Sequence, residues 1–225
     1  QAVLDKILHA ALAVKSGHYA YERDSVLFQN SEYNWPLISA LMTAATLNKS
    51  PLSVLDFGGS LGSTYFQHRP YLNKLTPLRW NVIEQAHFVE AGRANLEGGP
   101  LRFFSSIEEC IKTETPNCIL LSSVLQYLEQ PENVLASLAS IGAKILFLDR
   151  TPLQPSSKNR LVIQTVPEQI YKASYPMWIF SREKLIKRIE RNWTLLASHD
   201  CPEGSVCTNK GTPFSFKGYS FHASI

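Results

Sequence analysis

The residues best placed to do chemistry lie in one short run, Val54 to Ser63, VLDFGGSLGS. An apolar stretch ends in Asp56 and is followed by Gly58, Gly59, Ser60 and Gly62. Two chemistries fit these residue types. Gly58 to Gly62 matches G-x-S-x-G, the strand-to-helix turn that exposes a nucleophilic serine in α/β hydrolases. The same run also reads as a glycine-rich loop after a first strand, where small residues let the backbone approach a bound cofactor.

Each reading makes a demand on the rest of the chain. The hydrolase needs an acid and then a histidine at later strand ends, and Asp149 followed by His199 or His222 supplies them in that order. It also needs strands ahead of the nucleophile and an upstream oxyanion motif, and neither is evident. The cofactor reading needs an acidic side chain closing the second strand, because a carboxylate accepts two ribose hydroxyls at once. Glu84 stands there, after WNVI, with Gln85 beside it. An acid two residues before the first glycine and a glycine four after it departs from G-x-G-x-x-G and matches the S-adenosylmethionine pattern. The expected cofactor residues are therefore Asp56, Gly58, Gly59, Ser60 and Gly62 in the loop and Glu84 on the ribose. Gln85 and Ser105 (or Ser106) would flank the adenosine, with Ser122 and Ser123 on the floor. Ser60 then serves by its size and backbone, not as a nucleophile.

Elements that position these residues follow from the hydrophobic rhythm. Ala2 to Val14 has a helical period, and Trp35 to Leu47 is a second helix with Pro36 in its first turn. Between them SGHYAYERDSVLFQNSEYNWP has no clean period and reads as a loop or lid. From Leu52 strands alternate with helices: LSVLDF, RWNVIE, LRFFSS, NCILLSS and AKILFLD are five strands. A helix from Leu61 to about Gln67 is expected to stop near Pro70. This alternation implies a doubly wound parallel sheet. After Asp149 a proline- and aromatic-rich insertion interrupts the pattern. A basic helix, SREKLIKRIERN, reads as a solvated face, and two late strands, WTLLASHD and FKGYSFHAS, close the sheet as an antiparallel hairpin around a long CPEGSVCTNKGTPFS turn.

Composition narrows the partners. The 225 residues are 44% hydrophobic and 18% charged, enough for one α/β domain with a sizeable core. A net charge of +3 gives no argument for nucleic acid. No apolar run is long enough to span a bilayer. The four cysteines lack metal-like spacing and read as free thiols of a reducing, cytoplasmic setting; no metal is expected. The chain starts at Gln1, not Met, as a trimmed chain would, and shows no leader pattern.

Taken jointly, ERDSVLF, WPLISAL, VLDFGGSLGSTYFQ, WNVIEQ, LLSSVLQYLEQP, LDRTP and QTVPEQIYKASYPMWIFS resemble a family of S-adenosylmethionine-dependent methyltransferases encoded in bacterial surface-polysaccharide gene clusters. The resemblance runs from about His18 to His222. It implies a Rossmann-like class I methyltransferase fold: a seven-stranded, mostly parallel sheet with an antiparallel last strand, helices on both faces, an N-terminal helical lid over residues 1–50 and an insertion after strand five. Residues 51–225 would be the cofactor-binding part of one compact domain. It further implies a glycan or nucleotide-sugar acceptor, O-methylated by displacement at a sulfonium carbon.

For the acceptor side, His18 is the expected base. Tyr127 and Arg150 are expected in the crevice, Arg150 to hold a phosphate or carboxylate. Tyr19 and Arg23 would contribute from the lid, and Tyr171, Tyr175 and Trp178 would offer aromatic faces to a sugar. The absence of N/D-P-P-Y disfavours DNA amino-group methylation, and the lack of paired carboxylates disfavours a magnesium-dependent catechol-type mechanism. A cofactor-binding protein without catalysis is the other alternative.

Overall fold

The computed structural model describes residues 2–47, 51–75, 77–166 and 173–224. The chain opens with α1 (Ala2–Lys15) and a small antiparallel hairpin, β1 (Tyr21–Arg23) with β2 (Val26–Phe28), then α2 (Trp35–Leu47). The alternating part is β3 (Leu52–Phe57), α3 (Ser63–Leu72), β4 (Leu78–Ile83), α4 (Ala86–Asn95), β5 (Leu101–Phe104), α5 (Ile107–Ile111), β6 (Cys118–Ser122), α6 (Pro131–Ala139) and β7 (Ile145–Gln154). A 3-10 turn, Leu125–Tyr127, follows β6. The chain ends with β8 (Arg160–Thr165), β9 (Ser174–Ser181), α7 (Arg182–Ile189), β10 (Trp193–Cys207) and β11 (Pro213–Ala223).

The main strand order is β10-β11-β7-β6-β3-β4-β5. Strands β3 to β7 are parallel, and β11 runs antiparallel to both β7 and β10. Chain order reverses at β3, which lies between β4 and β6. In open α/β sheets the ligand crevice forms at such a switch point, outside the carboxyl ends of the strands.

The central strands are buried on both faces, so β3 and β6 are mostly apolar, with Ser53, Asp56 and Ser122 as their polar members. One face carries Val54, Trp80, Val82, Leu120 and Phe147 against α1, α2, α3 and α4. The other carries Leu55, Ile119, Leu146 and Leu148 against α5, α6 and α7. Leu4, Ala11 and Val14 of α1 and Leu37 and Leu41 of α2 belong to the first core, so the N-terminal helices are packed onto the sheet.

Four details differ from the sequence expectation. The N-terminal lid contains the β1–β2 hairpin, whose turn residues Asp24 and Ser25 both have positive φ. Helix α3 passes through Pro70: the proline sits in the last turn, and Asn73 N–H still reaches Arg69 O at 2.9 Å. The insertion after the fifth parallel strand is itself a β-hairpin, β8–β9, joined to the extended end of β7 through Leu153–Phe180 and Gln154–Ser181. This makes nine strands in the sheet. The final turn is short, because β10 runs on to Cys207, with an irregularity between Asp200 and Ser205 that absorbs the Pro-Glu-Gly stretch.

Candidate active site

The glycine loop leaves β3 at the switch point. Gly58 has φ +73°, and its N–H donates to Ile83 O of β4 at 2.9 Å. A Cβ there would come within 2.3 Å of Val124 Cγ2, so the loops after β3 and β6 touch through a position only glycine fits. At Gly59 a Cβ would meet the Asp56 carboxyl at 2.5 Å. Asp56 is thus roofed by the loop backbone. It is 1% exposed and accepts the Trp80 indole N–H at 3.0 Å. Burial pushes its pKa up to about 7, against the lowering effect of the Trp80 bond, and the Glu84 charge adds to the rise. Asp56 acts from beneath the loop and presents almost no surface to a ligand.

Glu84 follows β4 and turns back to the loop. Its Oε1 accepts the Ser60 N–H at 3.3 Å and its Oε2 the Gln85 N–H at 2.8 Å. Burial raises its pKa, opposed by those two bonds. A carboxylate has about four lone-pair sites, so two remain for further donors. Ser60 itself has φ +54°. Gln85 caps the start of α4 and is exposed, and Ser105 is an exposed residue whose N–H donates to Glu109 at 2.6 Å.

Beyond β6 and β7 the crevice floor is polar. Asp149 is 4% exposed. Its Oδ2 accepts Asn34 Nδ2 at 3.0 Å and Ser122 Oγ at 3.3 Å; its Oδ1 accepts His199 Nε2 at 3.0 Å and Cys201 Sγ at 3.4 Å. Burial alone would raise this carboxyl, but the His199 bond and charge, with Cys201 and Arg150, outweigh it and hold the pKa below its ordinary value. The His199 ring stacks on Phe147 at 5.3 Å, in space that a side chain at Gly218 would fill, 2.1 Å from Nε2. Ser123, with φ +53°, donates its N–H to Asp149 O at 3.1 Å, and its hydroxyl takes a bond from Gln126.

Asn34 joins this floor to the N-terminal segment. Its Oδ1 caps α2 by accepting the Leu37 N–H, while its own N–H donates to His68 Nε2, each at 3.0 Å. The other nitrogen, Nδ1, lies 2.8 Å from Thr64 O, which can only accept, so Nδ1 carries the proton and His68 is neutral. Burial lowers the His68 pKa in agreement.

The β1–β2 hairpin is fastened beside the glycine loop by Glu22. This carboxylate is 4% exposed and bonds the Ser63 hydroxyl at the start of α3 and the Ser25 N–H at 3.1 Å. Arg23, with its guanidinium 5.8 Å from the Tyr21 ring, acts electrostatically on His68, and Asp24 acts on Tyr127. The hairpin turn is thus within electrostatic reach of the turn that follows β6.

The remaining expected acceptor residues are dispersed. His18 is exposed at the end of α1, its Nδ1 2.8 Å from Ser16 Oγ, a local contact. Tyr19 packs half-buried against the first core. Arg150 is in an ion pair, Nε to Glu203 Oε1 at 2.5 Å. Tyr127 donates to Gln164 Oε1 at 3.0 Å and meets Tyr175 edge-on at 5.2 Å. Trp178 gives its indole N–H to Leu128 O and packs on the second core, so its ring is used structurally. Tyr171 lies outside the described residues. Asn34, His68, Asp149, His199 and Cys201 are the groups linked around the crevice floor, and none was among the residues expected to serve a methyl transfer. Asp149 and His199 were paired only under the hydrolase reading. They do pair, but among the described residues no histidine bonds Ser60.

The geometry has counterparts among solved structures. The fold matches the N-terminal domain of EvdMO1, crystallised in the presence of S-adenosylhomocysteine and D-fucose, with a TM-score of 0.56 at 14% identity over 98% of this chain and 97% of that one. It also matches a Listeria monocytogenes protein assigned as an S-adenosylmethionine-dependent methyltransferase (TM-score 0.52, 10% identity, 84% of this chain and 100% of that one). A third, from Methanosarcina mazei, gives 0.52 at 12% identity over 86% and 98%. This is the class I methyltransferase fold. Within it, the Gly58 loop, Glu84 and Ser122 stand at the carboxyl ends of three adjacent strands around the switch point. The methyltransferase fold also removes the α/β-hydrolase context that G-x-S-x-G requires. No family model and no curated protein matches the chain. Among the described residues no helix is long and apolar enough to cross a membrane.

Proposed function

We propose that the protein is an S-adenosylmethionine-dependent methyltransferase acting on a hydroxyl of a sugar or nucleotide-sugar acceptor. The observation that carries this is the Glu84 carboxylate, held against the Ser60 and Gln85 backbone beside the Gly58–Gly59 loop at the switch point, with two acceptor positions left for a ribose diol. The bare backbone at Gly58 suits close approach of the cofactor's amino-acid end. The D-fucose present with the EvdMO1 domain supports a sugar acceptor, as do Tyr127 and Tyr175, which offer aromatic edges near the crevice.

When bound, the cofactor supplies an electrophilic methyl group on a sulfonium. The chain's part is to align the acceptor oxygen, exclude water and take the hydroxyl proton. Glu22 and the β1–β2 hairpin serve exclusion. The Asp149 cluster is the group with the chemistry for the proton, in place of the exposed His18.

Calorimetry with S-adenosylhomocysteine tests the reading. Saturable binding is expected, and none at about millimolar ligand, roughly −4 kcal/mol, overturns it. Glu84→Ala is expected to weaken binding by about 1–3 kcal/mol; unchanged affinity would remove Glu84 from the ribose. Release of S-adenosylhomocysteine with a panel of nucleotide sugars separates an enzyme from a protein that only binds the cofactor.

A further inference from the structure

Asp149, His199 and Cys201 stand apart from every other titratable cluster among the described residues. Each offers one ligand atom, and the three atoms lie within 4.8 Å of one another. They come from two strands separated by β11: Asp149 from β7, and His199 and Cys201, two residues apart, from β10. Oδ1 is 3.0 Å from Nε2 and 3.4 Å from Sγ. A tetrahedral zinc ion, with bonds of about 2.0 Å to N and O and about 2.3 Å to S, has ligand-to-ligand edges of about 3.3 Å and 3.5 Å. The observed spacings are within about 0.3 Å of these.

We propose that Asp149 Oδ1, His199 Nε2 and Cys201 Sγ form a binding site for zinc or a zinc-like divalent ion. The surroundings are those of a built site. The second carboxylate oxygen, Oδ2, is already held by Asn34 and Ser122, the outer contact that fixes a ligating carboxylate. The imidazole is held by its stacking on Phe147, and glycine at 218 is what leaves room for the ring, since a Cβ there would lie 2.1 Å from Nε2 and 2.9 Å from Oδ1. Thiolate, imidazole and carboxylate together suit zinc over magnesium or calcium, which prefer oxygen ligands.

Metal entry is balanced by proton loss. The Cys201 S–H bond breaks as the metal–sulfur bond forms, and one proton goes to solvent. His199 binds through the Nε2 lone pair as its neutral Nδ1–H tautomer. No electrons are exchanged. Three protein ligands leave one position for water or a hydroxyl, whose pKa the ion would lower. Use of that position on an acceptor hydroxyl rests on the methyl-transfer reading; metal binding does not.

The test is titration of the chelator-stripped full chain with Co²⁺, followed by displacement with Zn²⁺. A single saturable site is expected, with a thiolate-to-cobalt charge-transfer band in the near ultraviolet. Cys201→Ser should abolish the band and Cys207→Ser should keep it. Failure of the native chain to bind one Co²⁺ with that band overturns the proposal, and so does persistence of the band in Cys201→Ser. If Cys201→Ser does not fold by circular dichroism, His199→Asn is read instead, with at least a tenfold loss of Co²⁺ affinity expected; unchanged affinity overturns the site. S-adenosylhomocysteine calorimetry on the same samples separates the two readings. Cofactor binding without cobalt removes only the metal site, and cobalt binding without cofactor removes only the methyltransferase.

Discussion

Asp56 illustrates how one position can be legible in kind and hidden in role. Its place two residues before Gly58 marks it as part of the loop, and it is; the sequence carries no sign that Gly59 would roof it and Trp80, from the next strand, would hold it. The result is a buried acid titrating at about 7 in place of 3.8. The folded chain keeps the proton across that window and the unfolded chain does not. This group's contribution to stability is therefore full below 3.8 and is lost as pH rises through about 7. Asp56→Asn should gain on the native chain between about pH 5 and about pH 8, by up to about 3 kcal/mol. Urea unfolding at both pH values checks this; parallel stabilities at the two would exclude it. His68 acts with the opposite sign: burial lowers its pKa, so its contribution is full above the ordinary 6.5 and is lost as pH falls below it through the lowered value. Both groups owe their states to contacts between distant segments, which residue type and spacing do not reveal.

The elements were the most legible level. The five parallel strands and the helices between them follow from apolar runs and caps: Ser106 caps α5 by accepting the Glu109 N–H at 3.1 Å, as its place before two glutamates suggests. Periodicity failed where strands are short or strained. The β1–β2 hairpin has three residues per strand and two non-glycine turn residues at positive φ, so no window of sequence announces it. At this scale the decisive contact is the meeting of the β3 and β6 loops at Gly58 and Val124. Gly58→Ala combines a forbidden approach with a strained φ and should cost about 1–3 kcal/mol of stability and most cofactor affinity. Adding Val124→Ala should relieve the clash and recover part of the stability, leaving the φ strain. Denaturant midpoints of the single and double variants measure both; equal midpoints would show that the loops do not touch as described.

Across the whole molecule, strand order sets the switch point, and the N-terminal segment is packed beside it. Helices α1 and α2 share the first core, Asn34 binds Asp149, and Glu22 binds Ser63, so the segment before β3 is tied to the sheet at the crevice rim. A ligand entering beneath the hairpin has to loosen those ties and then profits from their return. Amides of residues 21–28 should therefore exchange hydrogen at least several-fold more slowly with S-adenosylhomocysteine bound, while those of β7 change little; equal protection of the hairpin with and without ligand would place the entrance elsewhere. The pairing of Trp80 with Asp56 has a further consequence. One of four tryptophans is wholly buried with its indole N–H on a carboxyl that changes charge near neutral pH, directly under the loop. Its fluorescence should shift around that pH in the native chain and stay flat in Asp56→Asn. The molecule thus carries an internal optical gauge, placed where ligand arrival, loop movement and proton release would all register in the emission of one ring.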